Sequence, residues 1–221
     1  MKQAIKPVAA VLNEGYKKQL AANEYMLILN PHEELRKKIQ QVRKEFADKY
    51  DTAFHGGQPN LTLVRFTQLA MLEERIVQRL RTIAMSYCPF KVEMKGFGSF
   101  PSHTIFIQVT SKLPIRGLQK EVKEVQRLMK LDKEHKPHFL DEPYISIGRK
   151  LLPGQYDKAW LEYSHRNFTG RFVADGMLLL KRTAMLEGRP SIERPAHPWQ
   201  IVEKMTFRNM PVAIRQGELF A

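Results

Sequence analysis

Pro59-Asn60-Leu61-Thr62-Leu63-Val64-Arg65 returns 84 residues later as Pro143-Tyr144-Ile145-Ser146-Ile147-Gly148-Arg149. Proline, a hydroxyl and arginine recur at the same three places with aliphatic residues between them. A chance likeness between two strands would keep only the alternation. Each segment is rich in strand-forming residues and opens after a proline, so each reads as a β-strand. The repeat predicts a duplicated α+β unit related by a pseudo-two-fold axis, with the two strands facing each other across a cleft. Residues two apart on a strand share a face, so Asn60 sides with Thr62 and Tyr144 with Ser146.

The surrounding pattern supports a duplication. Tyr25–Leu29 reads as a buried strand stopped by Asn30-Pro31, and Leu35, Ile39, Val42 and Phe46 then mark a helix to about Tyr50. After a Gly/Pro loop and the first repeated strand, Leu69, Leu72, Ile76, Leu80 and Ile83 mark a helix over about 68–85. Residues 91–97 and 103–109 form a hairpin. In the second half a helix carries Leu118, Val122, Val125, Leu128 and Met129. The second repeated strand follows, then a helix around 155–165 and strands near 168–174 and 177–183. Asp175-Gly176 between the last two is a two-residue hairpin signal. The predicted organisation is one two-lobed domain over 1–188, with halves at about 25–110 and 114–183. A C-terminal extension over 189–221, carrying a short strand near Ile201–Phe207, packs back on the core.

The 221 residues are 43% hydrophobic and 27% charged, enough apolar content for a real core without disulfides or metal. No run approaches the roughly 18 apolar residues of a membrane span, and the opening residues form no complete signal peptide, so a cytoplasmic protein is expected. The lone Cys88, beside Pro89, reads as a buried structural thiol. A net charge of +13 favours phosphate-bearing partners, although runs such as Arg36, Lys37, Lys38, Arg43 and Lys44 read as a solvated helix face.

The two segments, QPNLTLVRF and EPYISIGRKLLPGQYDKAW, resemble the paired H-x-[ST] motifs of the 2H phosphoesterase superfamily, which includes LigT-like 2′-5′ RNA ligases and cyclic phosphodiesterases. The likeness spans about Tyr25 to Thr183. It implies an α+β, two-lobed fold of two antiparallel sheets flanking a central cleft, with helices outside. In the family the two histidines act as general base and general acid on a 2′,3′-cyclic phosphate or related diester, and the hydroxyls hold phosphate oxygens. Here Asn60 and Tyr144 stand where the histidines belong. Asparagine has no proton that titrates near neutrality, and a phenol with an ordinary pKa of about 10 is a poor base though a conceivable acid.

The reading is therefore a degenerate dyad in a cleft that binds a nucleotide or an RNA end with a terminal or cyclic phosphate. Asn60, Thr62, Tyr144, Ser146, Arg65 and Arg149 supply the contacts, with no cofactor, metal or membrane partner and the oligomeric state open. Strict alternation sends Arg65 and Arg149 to the face opposite the hydroxyls, although a bend at a strand end would turn them back. One alternative is a divergent enzyme using Tyr144 as acid and a displaced histidine, His55, His103 or His138, as base. Another is a non-catalytic interaction protein with a vestigial cleft. His135 and His138 have ligand-like spacing without supporting carboxylates or cysteines, and Ser102-His103 and Ser164-His165 are mere sequence neighbours. Gly96-Phe97-Gly98 lacks the rest of a phosphate loop and reads as hairpin geometry; Phe100 and Trp160 read as core.

Overall fold

The computed structural model describes residues 21–54, 57–184 and 198–210. His55, the amphipathic lead-in before residue 21 and Pro190, Pro195 and Pro211 lie outside them. The order is β1 (Ala22–Leu29), α1 (Glu33–Tyr50), β2 (Leu61–Leu69), α2 (Glu73–Ser86), β3 (Phe90–Phe100), β4 (Thr104–Val109), α3 (Lys112–Lys123), α4 (Gln126–Met129), β5 (His138–Phe139), β6 (Tyr144–Arg149), α5 (Pro153–Tyr163), β7 (Thr169–Ala174), β8 (Gly176–Thr183) and β9 (Gln200–Thr206). Two antiparallel sheets result, β5-β2-β1-β8-β9 and β6-β4-β3-β7, with the repeated strands β2 and β6 in different sheets.

The halves exchange strands. β1 from the first half pairs with β8 from the second and β2 pairs with β5, while β4 holds β6 on one side and β3 on the other. Asp175-Gly176 is accordingly not a hairpin: β7 closes the four-stranded sheet on β3, and β8 enters the five-stranded sheet between β1 and β9. Gly176 is required by close approach instead, because a Cβ there would lie 2.4 Å from the Met205 carbonyl oxygen of β9.

Helices cover the outer faces. In α1, Glu33 and Glu34 in the first turn and Lys49 in the last complement the helix dipole. Its apolar stripe sets Phe46 edge-on to Tyr163 of α5, ring centroids 5.2 Å apart. Arg43 of the same helix is buried against β6, a departure from the solvated face read in the sequence. The helix anticipated from residue 68 begins at Glu73, because β2 continues to Leu69 in register with Ala22. Ile76, Leu80 and Ala84 of α2 and Ile115, Leu118 and Val122 of α3 join the same continuous core.

Cys88 is exposed, contrary to the sequence reading. It sits on the link between α2 and β3, where Tyr87 and Phe90 turn inward to meet Phe207 and leave the thiol outward, its Sγ 2.7 Å from Asn209 Oδ1. Gly96 carries φ +68° at an irregularity within β3, donating its N–H to the Phe168 carbonyl, so its left-handed backbone serves a bulge and not a turn.

Candidate phosphate-binding cleft

Two matched bulges set the direction of the arginines. In the β1–β2 pairing Leu27 opposes Val64 but Ile28 opposes Thr62, so Leu63 is an extra residue. In the β4–β6 pairing Ile105 opposes Gly148 but Phe106 opposes Ser146, which makes Ile147 the extra residue. The two bulges occupy equivalent places in the repeat. Each resets the alternation, so residues on either side of it that are three apart return to one face. Arg65 thus shares a face with Thr62, opposite Met26 and Ile28 of β1, and Arg149 shares one with Ser146 and Tyr144. The other face holds Leu61, Val64 and Phe66 on one sheet and Ile145 and Gly148 on the other. A Cβ on Gly148 would fall 2.4 Å from Phe46 Cε1, so that face is in contact with α1.

The two cleft faces converge where β2 passes β6. The Arg65 guanidinium is held below its ordinary pKa, first by burial and then by the positive charge of Arg149, with Tyr144 and Glu24 acting in the opposite sense. Thr62 and Ser146 are both buried. Thr62 Oγ1 donates to Asn60 Oδ1 at 3.3 Å, and Asn60 Nδ2 donates to the Gln58 carbonyl at 3.0 Å, which orients the amide at the mouth of β2. Tyr144 packs on Phe100 and Phe106, centroids 5.1 and 5.0 Å away, with those two rings 4.8 Å from each other. Phe100 therefore belongs to an aromatic patch beside Tyr144 and not to the core, whereas Trp160 packs half-buried against the core.

Arg43 was absent from the sequence-derived site. From α1 its Nε donates to the Ser146 carbonyl at 2.9 Å and its Nη1 to the Gly57 carbonyl at 2.8 Å. One buried cation thereby ties the second motif to the loop that precedes the first. Burial, with Arg149 adding to it, brings its pKa down to about 10.

His138 on β5 pairs with Arg65 and lies exposed on the cleft face beside it. His103, in the β3–β4 turn, stacks on Phe100 at 6.3 Å, its Nδ1 2.9 Å from the Pro101 carbonyl. His135 is engaged with Asp132, Nδ1 to Oδ2 2.8 Å. Among the described residues no three His, Cys, Asp or Glu side chains are grouped to hold a metal. None of their helices is long and apolar enough to cross a membrane. Two grooves lie elsewhere, one beside β3 and β7 around Lys95 and Arg171, and one between α2 and α3–α4 lined by Arg75, Arg79 and Arg127.

Residues 31–185 match the 2′-5′ RNA ligase superfamily model. The chain belongs to this superfamily. Solved structures with the same fold include TT0787 of Thermus thermophilus, at 17% identity, TM-score 0.57, covering 84% of this chain and 98% of that one. Escherichia coli LigT complexed with 3′-AMP aligns at 11% identity, TM-score 0.56, covering 85% and 98%. A phosphoesterase aligns at 12% identity, TM-score 0.55, covering 84% and 98%. No curated protein sequence matches the chain. The superfamily match leaves β1 and β9 outside its two ends.

Proposed function

We propose that the cleft binds the phosphate of a nucleotide or RNA end through Thr62, Ser146, Arg65 and Arg149, and that the two-histidine proton transfer of the superfamily has been lost. The observation that carries this is the pair of bulges, which turns an arginine onto each hydroxyl-bearing face. The partly buried Arg65 and the exposed Arg149 repel, and an anion between them relieves that repulsion and the lost hydration of Arg65. Asn60 and Tyr144 add a hydrogen-bonding amide and phenol, neither suited to be a base near neutrality. The aromatic patch of Phe100, Phe106 and Tyr144 offers a surface for a nucleobase. E. coli LigT, which shares the fold, has been crystallised with 3′-AMP, NADP+ and ATP.

A second reading is favoured by the placement of His138. On the same face as Arg65, it is the described histidine best situated to act as base, with the Tyr144 phenol as acid and a 2′,3′-cyclic phosphate as substrate.

The deciding experiment compares wild type with Asn60→His/Tyr144→His for hydrolysis of 2′,3′-cyclic nucleotides and of RNA bearing a 2′,3′-cyclic end, with binding followed in parallel. The proposal expects wild type to bind without turnover and the double variant to gain activity. Turnover by wild type that vanishes in His138→Ala establishes the second reading. Absence of binding leaves the cleft vestigial and points to an interaction role for another surface.

A further inference from the structure

β9 widens the cleft face of the five-stranded sheet by one strand. On that face Arg182 opposes Glu24, Leu180 opposes Met26, and Ile201 of β9 opposes Leu180. Ile201 is 68% exposed there. The β8–β9 register ends with Lys181 opposite Gln200, and one step further sets Trp199 against Arg182. The Arg182 guanidinium carbon lies 4.6 Å from the Trp199 ring centroid. Its Nε is held by Glu24 Oε2 at 2.6 Å, so the guanidinium is fixed from one side and stacked on the other. A diagonal row thus runs from Arg65 of β2, opposite Met26 and two residues from the Thr67 that faces Glu24, through Glu24 and Arg182 to Trp199 at the start of β9. Strands are about 4.8 Å apart and residues about 3.4 Å apart along a strand, so three strand steps with a two-residue offset cover about 16 Å.

We infer that this row is a track for single-stranded RNA, with the terminal phosphate between Arg65 and Arg149 and an upstream base stacked on the Arg182–Trp199 platform. The inference rests on the phosphate reading above and extends it from a mononucleotide to an oligonucleotide. The step per nucleotide is about 3.4 Å in a stacked strand and longer in a splayed one, so the row matches about two to five nucleotides. An indole braced by a guanidinium presents a flat, sequence-tolerant surface, and base stacking on such aromatics contributes substantially in single-strand binders. The excess positive charge of the chain suits the same ligand.

The chain has two tryptophans, so Trp160→Phe leaves Trp199 as the sole indole reporter. In that background the probes are adenosine 2′,3′-cyclic monophosphate and an oligoadenylate tetramer ending in a 2′,3′-cyclic phosphate. The expected result is binding of the tetramer about tenfold or more tighter than the mononucleotide, with Trp199 fluorescence quenched by the tetramer alone. Trp199→Ala should bring the tetramer down to the mononucleotide level and leave the mononucleotide affinity unchanged, and Trp199→Phe should keep most of the advantage. Equal affinities for the two probes, an advantage that survives Trp199→Ala, or no quench by bound tetramer overturns the track while sparing the phosphate site. Failure of wild type to bind either probe overturns both. The quench is read with Trp199 in place, so the outcome does not depend on a variant that fails to fold.

Discussion

Replacing Arg43 by methionine keeps an unbranched apolar stem in the α1–β6 interface and removes only the guanidinium. Two hydrogen bonds from a charged donor disappear, to the Ser146 and Gly57 carbonyls. At about 1.5–3 kcal/mol each their gross loss is about 3–6 kcal/mol. Against this, holding the cation in the interface lowers its pKa from the ordinary guanidinium range to about 10. At about 1.36 kcal/mol per pH unit, the charge costs about 3 kcal/mol, which methionine no longer incurs. The net expectation is a destabilisation of about 0–3 kcal/mol centred near about 1.5, a fall in Tm centred on about 3–6 °C for a chain of this size. Arg43→Lys should be worse than Arg43→Met. Lysine retains a strongly hydrated charge in the buried site and lacks the fork that serves two carbonyls together. The sign with pH is also defined. From about pH 10 up to the ordinary guanidinium pKa the unfolded chain holds a proton on Arg43 that the folded chain sheds, so wild-type stability rises relative to Arg43→Met through that window; below about pH 10 the full cost of the buried charge persists. Urea unfolding of the three proteins at neutral pH, and of wild type and Arg43→Met again near pH 10.5, reads these differences. A lysine variant more stable than the methionine variant would refute the reasoning, because the charge would then outweigh the paired geometry.

Gly148→Ala drives a methyl group against Phe46 and should destabilise by about 1–3 kcal/mol, whereas Gly154→Ala, with nothing within 4 Å, should stay near neutral; equal values in thermal unfolding would contradict the bulge packing. Gly176→Ala places its methyl on the Met205 carbonyl, so hydrogen exchange over 200–206 should accelerate selectively as β9 loosens. Cys88 should react with Ellman's reagent in the native protein without denaturant, since the thiol is exposed; protection until unfolding would count against the observed turn. Phosphate binding should weaken steeply with added salt in wild type and with a shallower slope in Arg65→Met, as expected when a cation–phosphate contact is removed.

Read by itself, the sequence determined the duplication and the residue types at its centre. Proline, hydroxyl and arginine recur at matched positions, and apolar periodicity located α1 and the β3–β4 hairpin, because these signals are local and repeat along the chain. It also held an overlooked clue to the bulges: Thr62 and Arg65, like Ser146 and Arg149, are three apart, an odd spacing that reaches one face only if a residue is inserted between them. Which sheet each strand joins was not legible. Asp175-Gly176 has the composition of a hairpin, yet β7 and β8 part there, since long-range pairing with β3 and β1 outweighs local turn preference. The burial of Arg43 was hidden for a similar reason: helical periodicity marks a stripe, but only the approach of β6 and the Gly57 loop supplies the carbonyls that make a buried guanidinium tolerable. The row from Arg65 to Trp199 depends on tertiary structure most of all, because its members come from β2, β1, β8 and the start of β9, and only strand pairing brings them side by side.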